Sequence, residues 1–243
     1  KINQIVNNLS IHNVNIRVIP DMYDIITGSV KLSSIVGVPL IELSNNLMSN
    51  WEKSVKHFMD ITFSLFALII LSPLCIGLMI AIKLTSKGPV IYSHYRIGKH
   101  GKPFKIYKFR SMYCNAESEG PKLSCKGDQR ITPLGKIMRK ARLDEIPNFI
   151  NVLKGDMSLV GPRPERKYFI DQIVQRAPHY VHLHKIKPGI TSLGQVKYGY
   201  AENVDQMIKR LRYDLIYMEN MSVFLDFKIL IYTLSTLIKR NGV

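Results

Sequence analysis

From Ile61 to Ile82 the chain runs for 22 residues without a charge. As a helix, such a run is long enough to cross the hydrocarbon of a bilayer, which takes roughly 20 apolar residues. Ser72-Pro73 stands near its middle. Proline lacks a backbone donor and clashes with the preceding turn, so a break is expected there. Lys53, Lys56 and His57 precede the run, and Lys83 and Lys87 follow it. Positive flanks favour the cytoplasmic side of a membrane. With cations at both ends, one reading has the segment enter, turn at Ser72-Pro73 and return. The Ser72 hydroxyl would then serve carbonyls freed by the break. A kinked transmembrane helix is the second reading, and a buried soluble helix pair is the third.

The rest of the chain is basic. Lys and Arg number 34 against 18 Asp and Glu, while 46% of residues are hydrophobic. That excess calls for an anionic partner: phosphorylated ligands, anionic lipid or nucleic acid. Basic and greasy together favour a membrane surface. Nucleic acid is not expected as a partner, because such a binder has no use for a long uncharged run. Cys75, Cys114 and Cys125 form no Cys-x-x-Cys pair and read as reduced thiols of a cytosolic compartment. The histidines show no metal-ligand motif.

Three regions follow. Residues 1–50 read as the tail of an α/β domain and a linker, with short strands at 15–20 and 37–43. The chain starts at Lys1, so this piece is read as partial. Residues 51–83 are the membrane segment, and 84–243 a soluble-looking basic domain. Near the end, Phe224, Phe227, Ile231, Leu234 and Ile238 recur at helical spacing before Lys239 and Arg240. That helix either lies in the membrane interface or packs on the domain.

Several short motifs can carry chemistry. Thr132 and Pro133 suit the N-cap and first position of a helix. Leu134, Ile137, Met138 and Ala141 share one face of it, and Lys136, Arg139, Lys140 and Arg142 lie elsewhere. Leu143-Asp144-Glu145-Ile146-Pro147 comes next. Carboxylates beside so many cations are expected to stay ionised, with lowered pKa values. An ionised aspartate is a nucleophile towards phosphorus, given a divalent cation and arginines to relieve the repulsion. Magnesium suits the hard oxygen ligands Asp144 and Glu145. The plainer reading has Asp144 cap the next helix, which Gly155 would end. In Gly161-Pro162-Arg163-Pro164 the prolines present Arg163 rigidly, as bidentate phosphate binding requires. Tyr107 to Met112 reads as a strand with Lys108 and Arg110 on one face. Lys187-Pro188-Gly189 is a turn beside a cation.

In this order the motifs resemble the bacterial sugar transferase family, the monotopic polyprenyl-phosphate phosphoglycosyl transferases. The matching residues run from Lys56 to about Leu237. They include Asp60, Ser72-Pro73, Lys87-Gly88-Pro89-Val90-Ile91-Tyr92, Arg96-Ile97-Gly98, the Lys108 and Arg110 strand and Asp144-Glu145. The stretch from Asn151 to Pro164 and Lys187-Pro188-Gly189-Ile190-Thr191 complete the set.

The resemblance implies a mostly helical α/β architecture. A re-entrant membrane helix, broken at Ser72 and Pro73, joins a catalytic domain with amphipathic interface helices. Residues 1–50 would be a remnant of an upstream Rossmann-like domain. It implies that Asp144 attacks the β-phosphate of a UDP-sugar, that UMP leaves, and that undecaprenyl phosphate takes the phosphosugar from the enzyme. This would be the first membrane step of exopolysaccharide or glycoconjugate synthesis. Glu145 would assist through metal or proton handling, with Mg2+ as cofactor. Arg139 and Arg163 match phosphate-holding positions. The place implied is the bacterial inner membrane, catalytic domain facing the cytoplasm, with homodimers allowed. Glucose or galactose is the sugar expected. His94 stands where glutamine is common, Asn148 replaces a glutamine, and Ser192-Leu193-Gly194 replaces Gly-Trp-Ala; these departures bear on the sugar. The alternative function is a basic membrane-surface binding module without catalysis.

Overall fold

A computed structural model describes residues 16–18, 41–43, 48–117, 120–124, 127–199 and 201–238. The chain divides into two compact units, Lys1–Ser49 and Asn50–Val243. In the first, β1 (Ile16–Val18) pairs antiparallel with β2 (Ile41–Leu43). The expected strands thus appear where the unit is described. Most of the expected Rossmann-like remnant lies outside the described residues, as do Lys239 and Arg240.

The second unit begins with α1 (Asn50–Thr85), 36 residues long. It continues through Pro73 as one helical element, where the sequence leads one to expect a break. Pro73 cannot donate to the carbonyl of Ile69, four residues back. The Ser72 hydroxyl donates to that same carbonyl at 2.7 Å, which gives it a partner in place of the missing amide. One stripe of α1 packs on the domain. Lys56 donates to Val160 O at 3.0 Å and pairs with Asp226. Asp60 accepts from the Leu159 amide at 2.9 Å, and Ser64 is buried. Leu71, Cys75, Leu78 and Ile82 continue the stripe at helical spacing. The other faces stay apolar and exposed, with Phe58, Phe66, Ile69, Ile70 and Ile80 outside.

A hairpin follows, β3 (Ile91–Ile97) antiparallel to β4 (Pro103–Phe109). Next come α2 (Pro133–Lys140), a 3-10 turn at Leu143–Glu145 and α3 (Asn148–Leu153). Thr132 caps α2 as expected, accepting from the Gly135 amide at 3.0 Å, with Pro133 in the first turn. Of the residues expected to share one apolar face, Met138 is fully buried but Ile137 is 65% exposed. Leu78, Ile82, Phe109, Met138 and Ile146 form one core cluster. It binds α1, β4 and α2 to the residue just after the Asp144-Glu145 pair. Burying each large side chain stabilises by about 1.5–3 kcal/mol.

Two motifs far apart in sequence meet in the parallel pair β5 (Ser158–Val160) and β6 (Gly189–Thr191). The Gly161 amide donates to Thr191 O at 3.1 Å and the Gly189 amide to Pro162 O at 2.9 Å. A Cβ on Gly189 would lie 2.1 Å from Gly161 N, so the approach admits only glycine there. This contact fixes the start of the Pro162-Arg163-Pro164 loop.

Helices α4 (Lys167–Arg176), α5 (Leu193–Lys197), α6 (Val204–Glu219) and α7 (Val223–Ile238) complete the unit. In α7, Asp226 and Ile229 face the domain, while Phe224 (77% exposed), Phe227, Ile231 and Leu234 face outward. The helix therefore packs on the domain through one face, as the second reading has it, and leaves an apolar face exposed.

Candidate active site

Asp144 and Glu145 sit in the 3-10 turn between α2 and α3. Arg142, just before it, adopts φ +53°. The left-handed region costs a non-glycine residue on the order of 1 kcal/mol, and the cap and core on either side impose it. Asp144 does not cap α3. That position falls to Pro147, and no side chain caps it. Gly155 closes the helix with φ +83° as expected.

Glu145 is clamped by three cations. Lys108 Nζ donates to Oε1 at 2.7 Å, Arg163 Nη1 lies 3.7 Å from Oε1, and Arg142 Nη1 lies 3.9 Å from Oε2. Lys108 comes from β4, and Arg163 from the proline-flanked loop that β5 and β6 hold. Burial raises the Glu145 pKa, but Lys108, Arg163 and Arg142 outweigh it and hold the carboxyl well below its ordinary range.

Asp144 behaves in the opposite way, which corrects the expectation that both carboxyls titrate low. It is buried at 7% exposure, and among the described residues no ion pair is made to it. Burial raises its pKa, and the Glu145 charge adds to the rise. Lys108 and Arg139 oppose without cancelling it. The cations that lower one carboxyl are committed to it, leaving its neighbour basic.

The other expected site residues line the same cavity, of about 810 Å3. Arg139 is steadied by Ser111 Oγ and Ser124 Oγ, both at 2.9 Å. Arg110 lies just past the end of β4, with Nη2 donating to Ser86 O at 2.7 Å and to Ser86 Oγ at 2.8 Å. It joins the cavity wall to the end of α1, whereas Lys108 reaches the carboxyl pair. Ser72 and Pro73 lie elsewhere, inside α1.

Some site residues carry little mark in the sequence. Arg142 stands there only as part of a basic run. Arg166 donates to Glu117 Oε1 at 2.6 Å and to Tyr92 OH at 3.1 Å, and Tyr92 donates to Glu117 Oε2 at 2.8 Å. This trio ties the 113–117 loop to β3 at the cavity rim. Arg166 follows Arg163 by three residues, which is the one available signal. Nothing local marks Glu117.

No cluster of three or more His, Cys, Asp or Glu fit for a metal occurs among the described residues. Asp144 and Glu145 are hard oxygen donors side by side, and only Glu145 is committed to cations. That set fits a divalent cation held by one or two carboxylates, with water and phosphate oxygens completing its shell, the usual manner of magnesium.

Residues 51–240 match the family described as bacterial sugar transferase. A UDP-N-acetylgalactosamine-undecaprenyl-phosphate N-acetylgalactosaminephosphotransferase of Aeromonas hydrophila is 40% identical over 224 residues, 92% of this chain and 52% of the relative. A UDP-glucose:undecaprenyl-phosphate glucose-1-phosphate transferase of Klebsiella pneumoniae is 37% identical over 234 residues, covering 96% and 50%. One of the same description from Caulobacter vibrioides is 37% identical over 189 residues, covering 77% and 71%. The chain belongs to the bacterial sugar transferase family. It spans about half the length of the first two relatives.

Proposed function

We propose that the protein transfers a sugar-1-phosphate from a UDP-sugar to undecaprenyl phosphate through a phosphosugar-aspartate on Asp144. The observation that carries this is the division of labour between the two carboxyls. Glu145 is held anionic by Lys108, Arg163 and Arg142, whereas Asp144 is buried, basic and free of ion pairs among the described residues. A basic carboxylate in a cationic cavity is a nucleophile suited to an anionic phosphorus.

An Asp144 oxygen attacks the phosphorus that carries the sugar. The bond to the bridging oxygen breaks and UMP departs. An oxygen of undecaprenyl phosphate then attacks the same phosphorus, freeing the Asp144 carboxylate and giving the lipid diphosphate sugar. Arg139, Arg163 and Lys108 hold the phosphates in both steps. Mg2+, held at Asp144 and Glu145, would neutralise phosphate charge when bound. The relatives named above act on UDP-glucose or UDP-N-acetylgalactosamine, which supports a UDP-sugar donor.

The lipid acceptor calls for a site at the membrane surface. Helix α1 is long and apolar enough to cross a membrane. Yet the same basic domain packs along it from Lys56 to Ile82. A domain of such charge cannot follow a helix through hydrocarbon, so both ends belong on one side. This supports an α1 with both ends on one membrane face and its exposed apolar faces and those of α7 in lipid; in the membrane it would turn at Ser72-Pro73, although the helix as described continues through them. The cytoplasmic face of the bacterial inner membrane follows from where nucleotide sugars are found.

The test is UMP release and lipid diphosphate sugar formation from a panel of UDP-sugars, with undecaprenyl phosphate and magnesium in nanodiscs. Coupled appearance of both products with at least one sugar is expected. Folded protein that releases no UMP would instead point to the binding module. The pH profile adds a second expectation. Asp144 acts deprotonated and its pKa is raised, so kcat/KM climbs with pH through that raised value. The acid limb should fall above the ordinary carboxylate value of about 4. A limb at or below it would contradict the assignment.

A further inference from the structure

Three cavity-wall residues carry a buried polar atom that meets no partner among the described residues: His94 Nδ1, Arg110 Nε and Gln195 Oε1, of which the Arg110 guanidinium is otherwise held by Ser86. Arg96 Nε donates to His94 Nε2 at 2.7 Å. That bond uses the lone pair on Nε2, so the neutral ring carries its hydrogen on Nδ1, as an unused donor. Gln195 is 7% exposed, and its Oε1 is an unused acceptor. Buried groups of this kind are rare and costly unless water or a ligand meets them, and a polar ligand entering the cavity can take that place.

Both residues are held on a rigid frame. Arg96 Nη1 donates to Glu165 Oε2 at 2.9 Å, and Arg210 Nη2 to Glu165 Oε1 at 2.6 Å. Asp214, attracted by Arg210, accepts from the Gly194 amide at 3.0 Å, one residue before Gln195. A Cβ on Gly194 would lie 2.7 Å from Arg210 Cγ, so this backbone has no room to shift. A buried charged chain therefore runs from His94 to the Gln195 segment.

We propose that His94 and Gln195 form a donor–acceptor pair that reads neutral polar groups of the sugar being transferred; this rests on the function proposed above. A phosphate offers no hydrogen for Gln195 Oε1, and the cavity already has Lys108, Arg139 and Arg163 for phosphates. Hydroxyl and amide groups both donate and accept, so they match the pair. His94 feels the charges of Lys108 and Arg163, so it stands on the same side of the cavity as the cations that clamp Glu145. Burial and the surrounding Arg96, Arg166, Lys108 and Arg163 push the His94 pKa down to about 2, which keeps the ring neutral with a single tautomer.

The test uses the full chain in nanodiscs with His94→Leu, His94→Gln and Gln195→Met. It measures kcat/KM over a panel of UDP-sugars and, by calorimetry, the affinities for UDP and for UDP-sugar. His94→Gln is included because glutamine keeps both a donor and an acceptor, so a larger loss in His94→Leu reads the missing hydrogen bond. His94→Leu and Gln195→Met should each lower kcat/KM for the preferred sugar about tenfold or more and flatten the preference among sugars. His94→Gln should lose several-fold less, and UDP affinity should stay within about twofold of wild type. An equal loss of UDP affinity would assign the pair to the nucleotide and overturn the proposal. So would unchanged sugar preference in folded variants. If wild type turns over no UDP-sugar, the proposed function fails. The calorimetric gap between UDP-sugar and UDP still decides the pair: narrowed in the variants it stands, unchanged it falls.

Discussion

Asp144→Asn should abolish transfer while leaving the protein at least as stable as wild type. Asparagine fills the same space but offers no carboxylate to phosphorus. Removing a nucleophile from a covalent mechanism costs about 10^4-fold or more in kcat. The stability half follows from the sign of the pKa shift. Asp144 is raised in the folded state by burial and by the Glu145 charge. The folded state then holds this proton more tightly than the unfolded chain. The group's contribution to stability declines as pH rises past the unfolded value, and the penalty is complete once pH exceeds the raised folded value. A neutral asparagine removes it. Both halves are read on one preparation: thermal unfolding in nanodiscs and UMP release. Wild-type turnover would remove Asp144 as nucleophile. A large fall in stability would mean that its carboxylate is paired in a way the site does not have.

Lys108→Met should have the second largest effect. Lys108 makes the shortest contact to Glu145, and its charge also opposes the rise at Asp144. Without it, both carboxyls shift upward, Glu145 retains only the longer approaches of Arg163 and Arg142, and a phosphate partner is lost. A fall in kcat/KM of about 10^2-fold or more is expected, comparable to losing one electrostatic stabiliser in other sites. The acid limb should move further up, because less Asp144 is ionised at a given pH. Breaking a buried pair costs as much as about 3–5 kcal/mol, and the two remaining arginines keep the cost towards the low end. Lys108→Arg retains the charge and should recover part of the rate. A lowered rate with an unmoved limb would leave Lys108 a phosphate ligand but separate it from the carboxyls.

The local signals in the sequence hold where a residue's own chemistry decides the outcome. Thr132 and Pro133 start a helix, Gly155 ends one, and Ser72 serves the carbonyl that Pro73 abandons. The Asp144-Glu145 pair is legible as a candidate site through the order of motifs it shares with the family, the cations around it being suggestive but compatible with a plain helix cap. Its inner division is not. Adjacent residues with identical charge look alike in a string of letters. Only the fold brings Lys108 and Arg163, one far behind the pair and one ahead of it, into ion pairs with Glu145 and not with Asp144. Arg110 shows the same limit. Its strand pattern puts it beside Lys108, yet Ser86 captures its guanidinium. Glu117 and the buried Glu165 frame carry no local mark, since their partners come from distant parts of the chain.

The most direct measurement is the mass of the protein after mixing with UDP-sugar and magnesium without lipid acceptor. One sugar-phosphate should be added to the peptide that carries Asp144, with an equivalent of UMP released. That added mass should disappear when undecaprenyl phosphate is supplied. An unmodified protein that releases UMP only when both substrates are present would contradict a phosphosugar-aspartate on Asp144.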